Sequence, residues 1–198
     1  RLASAQAQLQ AQGLAFRRLP AFDGRGKPPR DLPRYRPWRA WLWFGRSLTG
    51  GEVGCFLSHR NAAEAFLRTG LPYGLVFEDD ILLSADFTVA LAAVLAHLAS
   101  GRFPGWRLVN LGRQVGLPDD ALPLAEVRTP AARRQLCACL DFPLSARALL
   151  WSRAGAGRFV ERARLATGTV DNWLRSDLAV HGGGYCLGPP LVGAVALE

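Results

Sequence analysis

The sequence predicts an α/β fold organised as a single domain, and three observations favour this class. Short apolar segments with strand character alternate along the chain with longer segments of helical periodicity. The apolar residues 75–77 run directly into the acids Glu78, Asp79 and Asp80, as in a buried parallel strand whose carboxyl end faces a ligand. A chain of 198 residues, 49% of them hydrophobic, suits one domain with a substantial core. We therefore expect residues 1–198 to form one domain around a mostly parallel central sheet.

The N-terminal half is predicted to hold two helices and two strands. Residues 2–12 are rich in Ala and Gln and stop at Gly13, the residue type that most often follows a helix end. Residues 14–19 have the pattern of a short strand, and an Asp-Gly turn signal follows them. A second helix is predicted over residues 51–67, and residues 73–77 are expected to form the central strand.

The C-terminal half continues the alternation of helix and strand. Residues 87–98 are rich in Ala and Leu and apolar nearly all round, which predicts a well-buried helix. A strand is expected over residues 106–111, and the Pro-rich, polar residues 112–134 are expected to form turns. Two further helices are predicted over residues 153–165 and 170–180, and no repeat or linker divides the chain.

The positive charge of the chain is concentrated in its first quarter. Residues 1–46 contain ten basic and two acidic residues and the remainder contains fourteen of each, so the net charge of +8 lies in residues 1–46. Within residues 24–46 basic residues alternate with Pro and Trp, which predicts a long loop. This loop could bind substrate phosphates, an anionic lipid surface or nucleic acid, or simply cover the domain. A nucleic-acid-binding module is thus an alternative, but no fold signature of that class accompanies the charge.

Several features of the sequence bear on where the protein is located, and the cysteines indicate a reducing compartment. The four cysteines, at positions 55, 137, 139 and 186, have the spacing of neither a zinc knuckle nor a thioredoxin motif, so we expect buried thiols. No apolar run approaches the ~20 residues that cross a bilayer, and no signal peptide is visible. We expect a cytoplasmic protein, with peripheral contact at the inner face of the membrane if the basic loop binds lipid.

The three consecutive acids point to a divalent cation. Adjacent carboxylates repel one another unless a cation or a proton intervenes, and a divalent ion that carries a phosphorylated substrate would resolve the repulsion. In an extended segment Glu78 and Asp80 point the same way, so both are predicted to bind one ion, while Asp79 points elsewhere. The alternative is a solvated acidic turn in which Asp79 or Asp80 caps the next helix.

A motif before this strand, together with the strand itself, connects the chain to a family. Residues 48–59 read L-T-G-G-E-V-G-C-F-L-S-H, and the strand that ends in Glu-Asp-Asp follows about twenty residues later. Both features, at this distance, resemble glycosyltransferase family 25. Weaker similarities to the same family occur over residues 8–24, 152–156, 170–172 and 189–192.

The resemblance implies a GT-A-like, Rossmann-type domain that uses a nucleotide sugar and Mn²⁺. The family includes lipooligosaccharide β-galactosyltransferases and collagen galactosyltransferases, which implies inverting transfer of a hexose, galactose above all, from a UDP-sugar to a lipooligosaccharide or another surface glycan. Two departures are present: the first strand of the family does not precede Arg1, and residues 106–111 lack an Asp that the family often has. A catalytically inactive member of the same fold is therefore the alternative to an active enzyme.

The resemblance also implies roles for single residues. Asp171 is predicted to be the general base, because many GT-A enzymes place a carboxylate at the start of a helix beyond the sheet; the alternative is a helix N-cap. Asp79 is predicted to face the donor sugar or to cap a backbone group.

Four residues of the motif are predicted to contact the donor nucleotide sugar: Thr49, Glu52, Ser58 and His59. For Thr49 the alternative is a helix N-cap, for Glu52 a first-turn acid favoured by the helix dipole, and for His59 a structural histidine.

Overall fold

The computed structural model describes residues 1–112 and 121–194, in which helices cover a six-stranded sheet. The helices are α1 Leu2–Ala11, α2 Pro37–Phe44, α3 Gly50–Arg68, α4 Phe87–Ala99, α5 Arg153–Arg162 and α6 Val170–His181. The strands are β1 Tyr73–Phe77, β2 Ile81–Leu83, β3 Leu108–Asn110, β4 Ala121–Arg128, β5 Arg133–Cys139, β6 Ala148–Ser152, β7 Gly184–Gly188 and β8 Val192–Ala194. The α/β class predicted from the sequence is therefore confirmed.

The expectation of a mostly parallel sheet is wrong for the described residues. The strand order is β1-β6-β3-β7-β5-β4, and β3 with β7 is the one parallel pair in this sheet. Strand β6 runs antiparallel between β1 and β3, and β4 with β5 forms an antiparallel pair. As a result β1 is an edge strand, not the central strand. The alternation of helices and strands along the sequence does not specify that β6 lies antiparallel between β1 and β3, because strand order is decided by tertiary pairing.

The N-terminal segments differ most from the predicted elements. Residues 14–19 form no strand, and the basic segment 24–46 contains a short 3₁₀ turn, Pro29–Asp31, as well as α2. Pro37 opens α2 and Gly45 ends it in the left-handed conformation, at φ 77°, so the Pro and Gly that predicted a loop bound a helix instead. Within the predicted turn region 112–134, β4 is present, and residues 113–120 lie outside the described residues.

The sheet is packed on both faces by helices. Alternate residues of the fully buried β6 point to opposite sides, so that Leu149 and Trp151 join the core with α3, α5 and α6, while Ala148 and Leu150 join the core with α1 and α4. On the first side, aromatic rings make the densest contacts: Phe159 stacks on Trp151 with centroids 5.2 Å apart. This packing holds α3 against β1, which the acids follow, and α6 against α3.

None of the helices in the described ranges, 1–112 and 121–194, is long and apolar enough to cross a membrane. The predicted Ala- and Leu-rich helix is α4, and its 13 residues extend only about 20 Å at 1.5 Å per residue.

Candidate active site

The N-terminus of α3 is fixed by a capping box. The Thr49 hydroxyl accepts from the Glu52 backbone N–H at 3.2 Å, and the Glu52 carboxylate accepts from the Thr49 N–H at 2.8 Å. Arg46 donates to both oxygens of the Glu52 carboxylate, at 3.0 and 2.5 Å. These hydrogen bonds, Arg46 first, lower the pKa of Glu52 to about 2, although partial burial opposes the shift. Thr49 and Glu52 thus have structural roles whether or not they contact a donor.

One face of α3 carries small residues because another backbone lies against it. A Cβ on Gly50 would stand 2.0 Å from the Gly24 carbonyl oxygen, and one on Gly54 would stand 2.6 Å from the Phe22 carbonyl oxygen. Ser58, one turn further, donates to the Gly54 carbonyl at 2.7 Å and accepts from the Phe22 N–H at 2.9 Å. Gly50, Gly54 and Ser58 therefore hold residues 22–24 against the helix, and the contact of Ser58 is with this backbone.

At the end of β1, Glu78 meets two side chains of α3. Its backbone N–H donates to the Arg147 carbonyl at 2.9 Å, which continues the β1–β6 pairing by one residue. Its Oε1 lies 3.1 Å from His59 Nε2 and 3.8 Å from Cys55 Sγ. Cys55 and His59 stand one helical turn apart, and His59 is only 5% exposed. His59 therefore contacts the Glu78 carboxylate but does not line the pocket itself.

The pKa of Glu78 is lowered and the pKa of its neighbour Cys55 is raised. Burial raises the pKa of Glu78, but the His59 hydrogen bond and the charges of His59 and Arg147 outweigh it and hold the pKa below its usual value. Burial, together with the charges of Glu78 and Asp171, raises the pKa of the Cys55 thiol to about 12. Glu78 is thus kept ionised and Cys55 is kept protonated.

Asp80 and Arg147 form the second part of the cluster. Asp80 Oδ1 lies 3.4 Å from Arg147 Nε, and both atoms are buried without a hydrogen bond. Arg147 also donates to the Gly112 carbonyl at 3.2 Å, whereas Asp79 is exposed. The orphaned Asp80 oxygen and the ionised Glu78 are hard oxygen donors of the type that Mn²⁺ and Mg²⁺ prefer. By donor type, and by this unsatisfied oxygen, the two carboxylates fit a divalent cation.

A pocket of about 310 Å³ opens beside Glu78. It is lined by Glu52, Cys55, Glu78, Leu144, Ser145, Ala146, Arg147, Thr169, Val170 and Asp171. Asp171 lies in the first turn of α6, where its Oδ1 accepts from the Thr169 hydroxyl at 2.5 Å and from the Asn172 N–H at 3.0 Å. The N-cap of α6 is Thr169, so the alternative role of Asp171 as the N-cap is wrong.

The pocket brings together only part of the predicted site. Glu52, Glu78 and Asp171 line it; Thr49, Ser58, His59, Asp79 and Asp80 do not. Sequence reasoning missed Arg147, which lines the pocket and approaches Asp80, and it also assigned Cys55 to the core alone. For Arg147 the one available signal is a basic residue directly before the uniformly apolar segment 148–151.

Comparison with protein families explains the motif around the pocket. The model of glycosyltransferase family 25, described as an LPS biosynthesis protein family, matches residues 1–106. The chain belongs to this family. The matched part supplies Glu52, Cys55 and Glu78 to the pocket, whereas Arg147 and Asp171 come from the part that follows.

Individual members of family 25 match over shorter stretches. The probable inactive glycosyltransferase 25 family member 3 of Bos taurus is 40% identical over 76 residues, which is 38% of this chain and 13% of that protein. The glycosyltransferase 25 family member of Anopheles gambiae is 38% identical over 106 residues, 52% of this chain and 18% of that protein. Procollagen galactosyltransferase 1 of Danio rerio is 31% identical over 122 residues, 58% and 20% of the two chains. The chain thus spans at most a fifth of these relatives.

Proposed function

We propose that this chain carries the donor site of an inverting glycosyltransferase, which moves a hexose, galactose above all, from a UDP-sugar to a glycan. The observation that supports the proposal is a pocket whose lining includes both Glu78 and Asp171. Transfer needs two groups in one site, a carboxylate that helps to hold the cation on the donor phosphates and a base for the acceptor hydroxyl. Family membership and relatives named galactosyltransferases support the same reaction.

Asp171 is the base of the proposed reaction. The acceptor hydroxyl attacks the anomeric carbon of the donor sugar, its proton passes to Asp171, and the bond between that carbon and the UDP oxygen breaks. The hydrogen bonds from Thr169 and from the Asn172 N–H occupy Oδ1 and orient the carboxylate. Oδ2 is the atom that we assign to the proton.

Glu78 and Asp80 would hold Mn²⁺, which when bound neutralises the charge that develops on the diphosphate leaving group. Arg147 adds a positive charge beside both carboxylates. In the proposal Thr49, Glu52, Ser58, His59 and Asp79 serve the donor side of a GT-A-like site. Thr49, Ser58 and His59 act there by fixing α3 and Glu78, and the exposed Asp79 is free to turn toward the sugar.

The acceptor in this proposal is a lipooligosaccharide or another surface glycan, met at the cytoplasmic face of a membrane. Helix α2 exposes Trp38, Trp41 and Trp43 by 61, 67 and 75%, and Arg39 stacks on Trp38 with 5.0 Å between guanidinium and ring. Indole rings and arginines are favoured at anionic bilayer surfaces. The helix lies near the pocket, since Phe44 at its end packs beside Gly168, the residue before the pocket-lining Thr169, and Arg46, two residues after the helix, bonds the pocket-lining Glu52.

The function is tested by ligand binding and by UDP release. We expect UDP and Mn²⁺ together to raise the melting temperature more than either alone, and UDP-galactose to release UDP faster when a glycan acceptor is added. Asp80→Asn should abolish both effects and keep the fold, while Glu161→Gln, on an exposed helix position, should leave them unchanged. Binding without turnover would favour the inactive alternative, and no response to UDP with Mn²⁺ would refute the proposal.

The membrane contact is tested with vesicles. Replacing Trp38, Trp41 and Trp43 with Ser should abolish co-sedimentation with phosphatidylglycerol vesicles. The control variant, with Leu140→Ser and Val180→Ser at sites exposed by 75 and 74%, should still sediment. If both variants bound the vesicles equally well, α2 would not be the membrane contact.

A further inference from the structure

Three side chains at the wall of the pocket, two of which line it, form a potential metal site of their own. The ligand atoms of Cys55, His59 and Glu78 all lie within 4.8 Å of one another, and in residues 1–112 and 121–194 this is the one group of three such ligands that does so. Cys55 and His59 share one face of α3, while Glu78 is fixed by the backbone bond that extends β1. Two of the three ligands thus stand on one helix, and the third follows directly after a strand and is held by a backbone hydrogen bond.

The distances suit one small cation. Ligands held at about 2.0–2.3 Å around a tetrahedral ion stand roughly 3.3–3.8 Å apart. Two of the three pairs are 3.1 Å for His59 Nε2 with Glu78 Oε1 and 3.8 Å for Cys55 Sγ with the same oxygen, and the third, between Cys55 Sγ and a ring nitrogen of His59, lies within 4.8 Å. A set of one thiolate, one imidazole and one carboxylate is suited to Zn²⁺ and not to Mg²⁺ or Ca²⁺. We infer that Cys55, His59 and Glu78 bind Zn²⁺, with the fourth position open to the pocket that Cys55 and Glu78 line.

The surroundings of His59 set the strength of this site. Its Nδ1 is buried and makes no hydrogen bond to any described residue. A metal-bound imidazole usually donates its second N–H to an acceptor, and loss of that acceptor costs 10–100-fold in affinity. Binding also requires the Cys55 thiol to release its proton. We therefore expect an exchangeable zinc ion, which a chelator removes without unfolding the protein.

Zinc at this position would act on the transfer reaction, a consequence that rests on the proposed function. The Zn²⁺ site uses the carboxylate that the proposed Mn²⁺ site shares with Asp80, so a zinc ion there would repel a second cation and reduce the negative charge available to it. Zn²⁺ should therefore inhibit donor binding in competition with Mn²⁺. The site itself does not depend on catalysis.

Cobalt substitution tests the site directly. We expect one Co²⁺ per chain to give the thiolate charge-transfer band in the near ultraviolet and the intense visible bands of four-coordinate cobalt, and Zn²⁺ to displace it. Cys55→Ser should abolish the charge-transfer band, and His59→Gln, which can still donate to Glu78, should weaken zinc binding at least tenfold. The control Cys139→Ser should keep the spectrum. Far-ultraviolet circular dichroism checks that each variant is folded.

The outcomes separate this inference from the proposed function. Asp80→Asn should retain the cobalt spectrum while it loses the response to UDP with Mn²⁺. A cobalt spectrum that survives Cys55→Ser, or wild-type protein that binds neither Co²⁺ nor Zn²⁺, would overturn the zinc site. Zinc binding without any response to UDP and Mn²⁺ would sustain the site and refute the transferase proposal.

Discussion

Two acid–base clusters of this protein differ in how completely their carboxylates are hydrogen-bonded. Asp86, at the start of α4, accepts from Arg134 at 2.6 and 2.8 Å and also from the Thr129 hydroxyl, and the two ionic side chains are only 9 and 6% exposed. In the cluster of Glu78, Asp80 and Arg147 beside the pocket, by contrast, Asp80 and Arg147 approach to 3.4 Å without a hydrogen bond. The first carboxylate has both oxygens satisfied, whereas the second keeps an unsatisfied one.

This difference separates a structural cluster from a binding cluster. A buried carboxylate whose two oxygens both accept hydrogen bonds stabilises one conformation and has no oxygen left to offer a cation. A buried oxygen without a partner costs free energy in the absence of a ligand, and that cost is recovered when a cation or a phosphate completes the group. The comparison predicts that substitutions in the pocket change binding and rate, while substitutions at Asp86 and Arg134 change stability.

The largest expected effect is on the transfer rate of Asp171→Asn. The variant loses the base, so its rate should fall about 10²–10⁴-fold, while Asn can still accept from Thr169 and from the Asn172 N–H. Melting temperature and UDP binding should stay at wild-type values. The control is Asp141→Asn, because Asp141 pairs with Arg175 and does not line the pocket. Near wild-type transfer by Asp171→Asn would exclude Asp171 as the base.

Next in size is the effect of Arg134→Met on stability. The substitution leaves the buried Asp86 carboxylate without its cation, which should cost about 3–5 kcal/mol in the free energy of unfolding by urea. The adjacent Arg133→Met is the matched control, since its side chain is 77% exposed and should change stability by less than ~0.5 kcal/mol. Donor affinity of the folded Arg134→Met protein should be unchanged. Equal stabilities of the two variants would show that the Asp86 pair is not a structural determinant.

The same pair predicts how stability depends on pH. The Arg134 hydrogen bonds hold the pKa of Asp86 well below its usual value. A lowered folded-state pKa contributes stability above the unfolded pKa of ~3.9, and this contribution is lost as pH falls toward the folded pKa. The gap in unfolding free energy between wild type and Arg134→Met should therefore be largest near pH 5 and shrink toward pH 2. A constant gap over this range would contradict the assignment.

The elements around the pocket differ in how far the sequence could predict them. The Thr and Glu of the capping box, and the apolar run that ends at Glu78, specify α3 and β1 locally, so both were predicted. The pairing of β6 between β1 and β3, which brings Arg147 to Asp80, is a long-range contact without a local pattern. Because of that pairing, Glu78 contacts His59 and Asp80 contacts Arg147. The spacing of these residues along the chain does not predict this arrangement.

Helix α2 and the sheet direction were missed for related reasons. Proline was read as a loop signal in residues 24–46, but at the first helical position its missing N–H costs nothing. Antiparallel insertion of β6 exposes β1 at the sheet edge, where half-buried residues resemble a buried strand in sequence. In both cases the local pattern, a proline or an apolar run, is compatible with two structures, and contacts distant in sequence decide between them.

The smallest effect predicted here concerns the backbone contact that positions α3. Gly50→Ala would place a Cβ 2.0 Å from the Gly24 carbonyl oxygen, and since that atom belongs to the backbone the contact cannot be relieved by a side-chain rotation. We expect a loss of about 1–3 kcal/mol in unfolding free energy. Gly51→Ala is the matched control: no atom lies within 4 Å of its added Cβ, and removing a helical glycine should gain ~0.4–1 kcal/mol. Because Gly50 lies two residues before Glu52, the first variant should also weaken UDP binding and the second should not. If both variants were equally stable, the close approach of residues 22–24 would not determine where the helix, and with it Glu52 and Cys55, stands at the pocket.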